Sequence, residues 1–192
     1  TNMLDECCIY LAGPICFAND DGRAWRDEFI QKSLQTGLNL TFFDPTNKPD
    51  YLGSEVGQEK EVIKVWKERK EWDKITDYVK AYRRIDLRMV DLADIFILYV
   101  DTDIHMCGSY QECSIAETQR KPMFAIVKGG KEKAPDWLFS MIDHHCMFDN
   151  VDGCVNWLKM LNSGQKDIGT EYIFIRRKLI KEKTYQTLLL SI

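Results

Sequence analysis

The segment from residue 101 to residue 112 carries the side chains best suited to chemistry on a small molecule. It reads DTDIHMCGSYQE, so that Gly108 and Ser109 are followed by Glu112. A carboxylate near the start of a helix is kept ionised by the positive end of the helix dipole, and an ionised carboxylate can act as a nucleophile. Ser109 and Glu112 also have the spacing of a capping box, in which a glutamate only closes the helix N-terminus. The residues alone leave both interpretations of Glu112 open.

Asp86 and Tyr10 are two further residues that could exchange or share a proton with a bound molecule. Asp86 lies in a predicted helix, where an aspartate by default faces solvent. Tyr10 lies in the middle of a predicted strand, where a tyrosine by default belongs to the core with its hydroxyl hydrogen-bonded. Each of them therefore has a structural interpretation beside the chemical one.

The histidines and cysteines do not have the spacing of a metal site. His105, Cys107 and Cys113, and the run His-His-Cys at 144–146, match no standard zinc pattern, and the zinc deaminase pattern is absent. The chain also lacks the G-x-G-x-x-G and P-loop motifs that signal nucleotide cofactors. We therefore expect neither a metal nor a cofactor.

Short apolar runs that end in turn residues predict the strands that must position these side chains. The clearest is Ile95–Val100, which is apolar on both faces and is typical of a strand buried in a parallel sheet. The other predicted strands are 7–12, 38–43, 123–127 and 147–148.

Helical patterns separate these strands. A first helix has Trp25, Phe29 and Leu34 on one side and ends at Gly37, and a charged surface helix is predicted over 55–74. Further helices are predicted through 82–93, 109–120, 135–141 and 151–161. This alternation predicts a single α/β domain with a doubly wound, mostly parallel sheet of about five strands, Rossmann-like or flavodoxin-like.

In such a sheet, ligands bind beyond the carboxyl ends of the strands. That rule nominates the loops 13–22, 44–53 and 101–109. We expect the domain to span residues 1–164, with a charged helical insertion at about 55–76. Residues 165–192 are expected to form a C-terminal extension, with strand-like runs at 171–175 and 187–190.

Composition argues against several classes of protein. Thirty acidic and 26 basic side chains give a formal net charge of −4, which disfavours a nucleic-acid polymer as partner. The longest apolar run, Ile95–Val100, is far shorter than the ~20 residues of a membrane span, so no membrane partner is expected. Residues 1–8 lack the pattern of a signal peptide, and the seven cysteines form no C-x-x-C pair. A reducing, cytoplasmic location is therefore expected.

Several short motifs occur in an order that resembles a known family. They are Ile-Tyr-Leu-Ala-Gly-Pro at 9–14, Asp-Leu at 86–87, Asp-Leu-Ala-Asp at 91–94, and Gly-Ser-Tyr-Gln-Glu at 108–112 followed by Ala116 and Lys121-Pro122. Over residues 8–127, the chain resembles the nucleoside 2-deoxyribosyltransferases and the related deoxynucleotide N-glycoside hydrolases.

The resemblance implies roles for individual residues. Glu112 matches the nucleophile that attacks C1′ of the deoxyribose, Asp86 matches the aspartate that exchanges a proton with the leaving base, and Tyr10 matches the tyrosine that positions the nucleophile. The substrate-binding residues implied are Gly13, Pro14, Arg23, Asp44, Gly108 and Ser109, with Arg23 facing a phosphate if the substrate carries one. The family often has an aspartate at the position of Met106, so the hold on an acceptor base is expected to be weaker here.

The function that follows is cleavage of the N-glycosidic bond of a 2′-deoxynucleoside or its 5′-monophosphate, through a covalent glycosyl-Glu112 intermediate, with transfer of deoxyribose to another base. The alternatives are a 2′-deoxynucleoside 5′-monophosphate N-glycosidase, which is a hydrolase, and a catalytically silent nucleotide-binding module. The resemblance also implies a homo-oligomer with shared active sites, for which Pro135–Trp137 is a candidate contributing segment.

Overall fold

The structure is a computed structural model that describes residues 3–166. The predicted strand-like runs at 171–175 and 187–190 lie outside the described residues, as does all but the beginning of the predicted extension at 165–192. The described residues form a five-stranded sheet flanked by helices, as the alternation of strand and helix patterns predicts.

The five strands are parallel and lie in the order β2-β1-β3-β4-β5. They are β1 (Cys7–Ala12), β2 (Leu40–Phe43), β3 (Ile95–Val100), β4 (Met123–Val127) and β5 (Met147–Phe148). This order is the flavodoxin-like one, and it confirms the predicted doubly wound sheet. β2 begins at Leu40 rather than at Leu38, because its partner β1 begins at Cys7, which pairs with Leu40.

Helices cover both faces of the sheet. They are α1 (Arg23–Gln35), α2 (Gln58–Glu68), α3 (Trp72–Leu92), α4 (Cys107–Thr118), α5 (Leu138–Met141) and α6 (Val151–Asn162). α1 packs beside α6, and α3 packs beside α4. α4 begins two residues before its predicted start at Ser109, and α5 begins at Leu138 rather than at Pro135.

The charged stretch at 55–74 belongs to two helices rather than to the single one that its charge pattern predicts. α2 ends at Glu68, and α3 begins at Trp72. Between them, Lys70 has a φ of 57°, a left-handed conformation that stops a right-handed helix. Only the last three residues of the charged stretch, from Trp72 on, therefore belong to the long helix that was predicted only through 82–93.

The buried face of α1 differs from the predicted one. Trp25 and Phe29 are buried as expected, but Leu34 is 56% exposed. Four residues after Phe29 the helix brings Ser33 to the buried side, so Leu34 points about 100° away from it. The buried face also contains Arg26, whose side chain has no exposed surface.

The core lies around the central strands β1, β3 and β4, whose apolar side chains are almost completely inaccessible to solvent. Continuous burial of this kind is what a parallel sheet covered on both faces requires. Among residues 3–166, no helix combines the length and the apolar character needed to cross a membrane.

Candidate active site

A cavity of about 320 Å³ opens at the carboxyl ends of β1 and β3. The strand order reverses at this point, since β2 lies on one side of β1 and β4 lies beyond β3, and ligands of doubly wound sheets bind at such a reversal. The volume is in the range of small-molecule sites. Residues that line the cavity include Gly13, Pro14, Glu55, Asp86, Met106, Gly108, Ser109 and Glu112.

Tyr10 and Glu112 meet at one wall of this cavity. Tyr10 is fully buried in β1 and stacks on Phe96 of β3, with ring centroids 5.8 Å apart. Its hydroxyl donates a hydrogen bond to Oε1 of Glu112 at 2.7 Å. The core tyrosine of the sequence analysis is therefore also a direct partner of the candidate nucleophile.

The capping-box interpretation of Glu112 is wrong. α4 begins at Cys107 and its N-cap is Met106, so Ser109 lies inside the first turn and Glu112 lies in the second. A capping box needs the serine at the N-cap and the glutamate three residues later. Glu112 instead points its carboxyl group into the cavity and towards Tyr10.

The expectation that the helix end keeps Glu112 ionised is also wrong. Burial raises the pKa of Glu112 to about 8; the Tyr10 hydrogen bond lowers it, while the Asp86 and Glu55 carboxyl groups raise it further. The helix dipole acts mainly on the first turn, which Glu112 is beyond. Glu112 is therefore half-ionised only near pH 8.

Asp86 lies in α3 and is buried, with 4% of its surface exposed, which contradicts the default that it faces solvent. Its Oδ1 is 2.5 Å from Nζ of Lys48, a residue of the segment that follows β2. The side chains of Lys48 and Asp86 are 2% and 6% exposed. Burial raises the pKa of Asp86, and Lys48 opposes that rise.

Glu55 is a third carboxyl group of the site, and it is hydrogen-bonded to Asp86. Burial, with the Asp86 charge next in size, raises the pKa of Glu55 to about 7. Neighbouring hydrogen bonds hold its segment in place. Tyr78 of α3 donates to the Ser54 carbonyl at 2.8 Å, and the Gly57 amide donates to Asp21 at 3.2 Å.

Arg26 supports the loop that follows β1. Its guanidinium donates to the carbonyl oxygens of Leu11, Gly13 and Gly22 at 3.1, 3.1 and 2.7 Å. The loop also needs a glycine at position 13, because a Cβ there would lie 2.8 Å from the ring of Trp25. These contacts fix the backbone of one wall of the cavity.

The predicted substrate-binding residues fall into two groups. Gly13, Pro14, Gly108 and Ser109 line the cavity together with Asp86 and Glu112. Asp44 does not line it; Oδ1 of Asp44 lies 3.5 Å from Nε of Arg26 and accepts hydrogen bonds from Thr46. Arg23 is exposed on α1, away from the cavity lining.

Lys48 and Glu55 are site residues that the sequence analysis missed. Lys48 lies in the nominated loop 44–53, which was the one signal available for it, but a lysine in a polar loop is common. Glu55 was counted among the charges of a surface helix. A half-buried position such as that of Glu55 cannot be distinguished from an exposed one within a run of charged residues.

The only described residues that could together hold a metal ion are Asp143, His144 and His145, whose ligand atoms all lie within 4.8 Å of one another. All three are exposed, and they lie outside the cavity lining. Asp143 already accepts a hydrogen bond from the His145 amide at 2.8 Å, which is a local turn contact.

No protein-family model and no curated protein matches the sequence. Solved structures do match the fold. A 2-deoxyribosyltransferase from the psychrotolerant bacterium Bacillus psychrosaccharolyticus is 17% identical, with a TM-score of 0.55 over 86% of this chain and 96% of that one. A 2-deoxyribosyltransferase from Leishmania mexicana is 18% identical, with a TM-score of 0.50 over 80% of this chain and 97% of that one. These likenesses confirm the α/β fold that the sequence resemblance implies.

Proposed function

We propose that this chain cleaves the N-glycosidic bond of a 2′-deoxynucleoside through a covalent glycosyl-Glu112 intermediate and transfers the deoxyribose to another base. The observation that carries the proposal is the hydrogen bond from Tyr10 to Glu112 at the wall of a cavity that also contains Asp86. Two of the solved structures that share the fold are 2-deoxyribosyltransferases, which supports the same reaction class.

The Glu112 carboxylate suits the sugar half of this reaction. Breaking an N-glycosidic bond passes through a state with oxocarbenium character at C1′, which a nearby carboxylate stabilises and then traps as an ester. The Tyr10 hydroxyl holds Oε1 of Glu112, so the other carboxylate oxygen is left to approach C1′. Tyr10 thereby acts as a positioning residue.

The base half of the reaction needs a proton, because a nucleobase leaves poorly as an anion. Asp86 and Glu55 both line the cavity and are hydrogen-bonded to each other. The sequence resemblance implies that Asp86 exchanges a proton with the base. We propose that this exchange takes place at the pair formed by Asp86 and Glu55.

Transfer is the preferred outcome over hydrolysis of a nucleoside 5′-monophosphate. The phosphate contact that would favour the hydrolase was assigned to Arg23, and that side chain is exposed and outside the cavity lining. Met106 lines the cavity as the N-cap of α4 and offers an acceptor base no carboxylate. We expect some hydrolysis to accompany transfer.

The test is chromatography of a panel of 2′-deoxynucleosides and their 5′-monophosphates after incubation with the protein, with and without a free acceptor base. We expect a new nucleoside only when the acceptor is present. Glu112→Gln should lower turnover by several orders of magnitude, as is typical for loss of a nucleophile. Glu117→Gln, an exposed glutamate on the same helix, is the matched control and should retain full activity.

Two results would contradict this function. One is a folded Glu112→Gln variant that keeps more than about a tenth of wild-type turnover. The other is a wild-type protein that binds a deoxynucleoside but cleaves no member of the panel, which would support the catalytically silent binding module instead.

A further inference from the structure

A lysine and two carboxyl groups form a connected cluster, and the two carboxyl groups line the cavity. Lys48 pairs with Asp86 at 2.5 Å, and Asp86 is hydrogen-bonded to Glu55. Their segments differ in origin, since Lys48 follows β2, Glu55 precedes α2 and Asp86 belongs to α3. The cluster therefore forms only in the folded chain. Asp86 lies at its centre and contacts Lys48 on one side and Glu55 on the other.

Lys48 favours the ionised form of Asp86. The two side chains are 2% and 6% exposed, so protonation of Asp86 would leave a buried ammonium group without its counter-charge. Removing the charge from one member of a buried ion pair is strongly unfavourable. Asp86 is therefore poorly suited to carry the proton that a leaving base requires.

Glu55 is better suited than Asp86 to carry that proton. Two carboxylates cannot hydrogen-bond to each other unless one of them carries a proton, and the Lys48 contact places the charge on Asp86. Glu55 thus donates and Asp86 accepts. The pKa of Glu55, raised by burial to about 7, agrees with a carboxyl group that keeps its proton near neutral pH.

We propose that Glu55 is the acid that protonates the leaving base, and that the buried Lys48–Asp86 pair positions it. This inference rests on the proposed function, because it names the proton donor of that same reaction. Glu55 lines the cavity together with Glu112, so both carboxyl groups face the space that a substrate would occupy.

Glu112 and Glu55 act on the two atoms of the bond that breaks. A carboxylate oxygen of Glu112 forms a bond to C1′ while the bond from C1′ to the base nitrogen breaks, and the electron pair of the broken bond goes to that nitrogen. The nitrogen takes the proton of Glu55, which becomes a carboxylate. In the second half, the acceptor base attacks C1′, the ester bond to Glu112 breaks, and the acceptor's proton returns to Glu55.

Several charged and titratable groups influence Glu55. They are Lys48, Asp86 and Tyr82, with Arg26, Tyr10 and Glu112 from the neighbouring elements.

The catalytically active form of the protein needs Glu112 ionised and Glu55 protonated. The pKa of Glu112 is about 8 and that of Glu55 is about 7, so only a small fraction of the molecules has this form, and the fraction is largest between the two values. The activity should therefore follow a bell-shaped pH profile with its maximum between about pH 7 and pH 8.

The experiment compares two substrates that donate deoxyribose. One is a 2′-deoxynucleoside, whose base must be protonated, and the other is a 4-nitrophenyl 2-deoxyribofuranoside, whose leaving group needs no proton. Glu55→Gln keeps a donor for the hydrogen bond to Asp86 and should lower kcat on the nucleoside about 100- to 10,000-fold, while kcat on the activated donor changes less than about threefold. Glu68→Gln, an exposed glutamate on α2, is the matched control and should change neither rate.

The pH profile tests the same assignment independently. Glu55→Gln should remove the basic limb of kcat/KM on the nucleoside. Lys48→Met should move that limb to higher pH, because Lys48 lowers the pKa of Glu55. A merely structural role for Lys48 would lower the rate without moving the limb.

The inference is wrong if Glu55→Gln affects both donors equally, or if Asp86→Asn alone shows the loss that depends on the leaving group. Either result leaves the proposed function intact, provided that wild type cleaves the activated donor and Glu112→Gln does not. Failure of wild type to cleave both donors would instead remove the proposed function and this inference together.

Discussion

The Glu112 carboxyl group is held in an environment that disfavours its charged form. Its pKa rises from an ordinary 4.5 to about 8, mainly because it is buried. A carboxyl group with a raised pKa contributes stability that is fully present below the unfolded pKa and is lost as the pH rises through the folded one. The reactive group therefore reduces the stability of the fold near neutral and alkaline pH.

We predict that Glu112→Gln stabilises the protein at alkaline pH. The amide cannot ionise and can still accept the Tyr10 hydrogen bond, so the gain should be on the order of 2 kcal/mol at about pH 9 and should vanish near pH 4. Urea unfolding at the two pH values measures it, with Glu117→Gln as the control. An equal effect of Glu112→Gln at both pH values would contradict the raised pKa.

At the scale of elements, one side chain of α1 holds the loop after β1. The Arg26 guanidinium donates hydrogen bonds to three backbone carbonyls, those of Leu11, Gly13 and Gly22. Its planar fork suits this arrangement, and a lysine, with one nitrogen, does not.

We predict that Arg26→Lys destabilises the protein by about 2 kcal/mol, because buried carbonyl oxygens lose their donors. Arg23→Lys is the matched control, since Arg23 is an exposed arginine on the same helix, and it should be neutral within experimental error. Chemical denaturation of both variants gives the comparison. Equal stability of the two variants would mean that the loop is held by other contacts.

Elements were easiest to predict from sequence where burial is continuous. β1, β3 and β4 are apolar on both faces, and their bounds agree with the predicted ones. The break between α2 and α3 depends on the left-handed conformation of Lys70, which a charged run does not signal.

The site could be predicted from sequence only in part. Motifs located Glu112, Asp86 and Tyr10, which the fold brings to one cavity or its wall. Lys48 and Glu55 could not be predicted, because they belong to the site only through their contacts with Asp86 of α3, which depend on the tertiary structure. The position of Asp44 similarly shows that a residue in the right loop can serve a neighbouring side chain, here Arg26, instead of the cavity.

At the scale of the whole molecule, exposed aromatic residues lie around α5. Trp137 is 80% exposed and Phe139 is 44% exposed. Large exposed apolar side chains that lie close together are typical of interaction surfaces. This segment includes the residues Pro135–Trp137 that the sequence resemblance nominated for contacts between subunits.

We predict that the protein forms a homo-oligomer through this segment. Trp137→Ser should then reduce the apparent mass in sedimentation velocity towards that of a single chain, because aromatic anchors contribute much of the energy of an interface. Trp72→Ser is the control, since Trp72 is 58% exposed at the start of α3. Loss of association in both variants, or in neither, would contradict the assignment.

The hydrogen bond between Tyr10 and Glu112 joins residues 102 positions apart in the chain. In the folded protein it accompanies the pairing of β1 with β3, in the register that places Tyr10 beside Phe96. Contacts between residues far apart in sequence form late in folding, and parallel strand pairing is slow. During synthesis, a nascent chain therefore has no working site until α4 has emerged from the ribosome. During refolding from denaturant, enzymatic activity should return with the last kinetic phase, after the helical signal in circular dichroism has recovered.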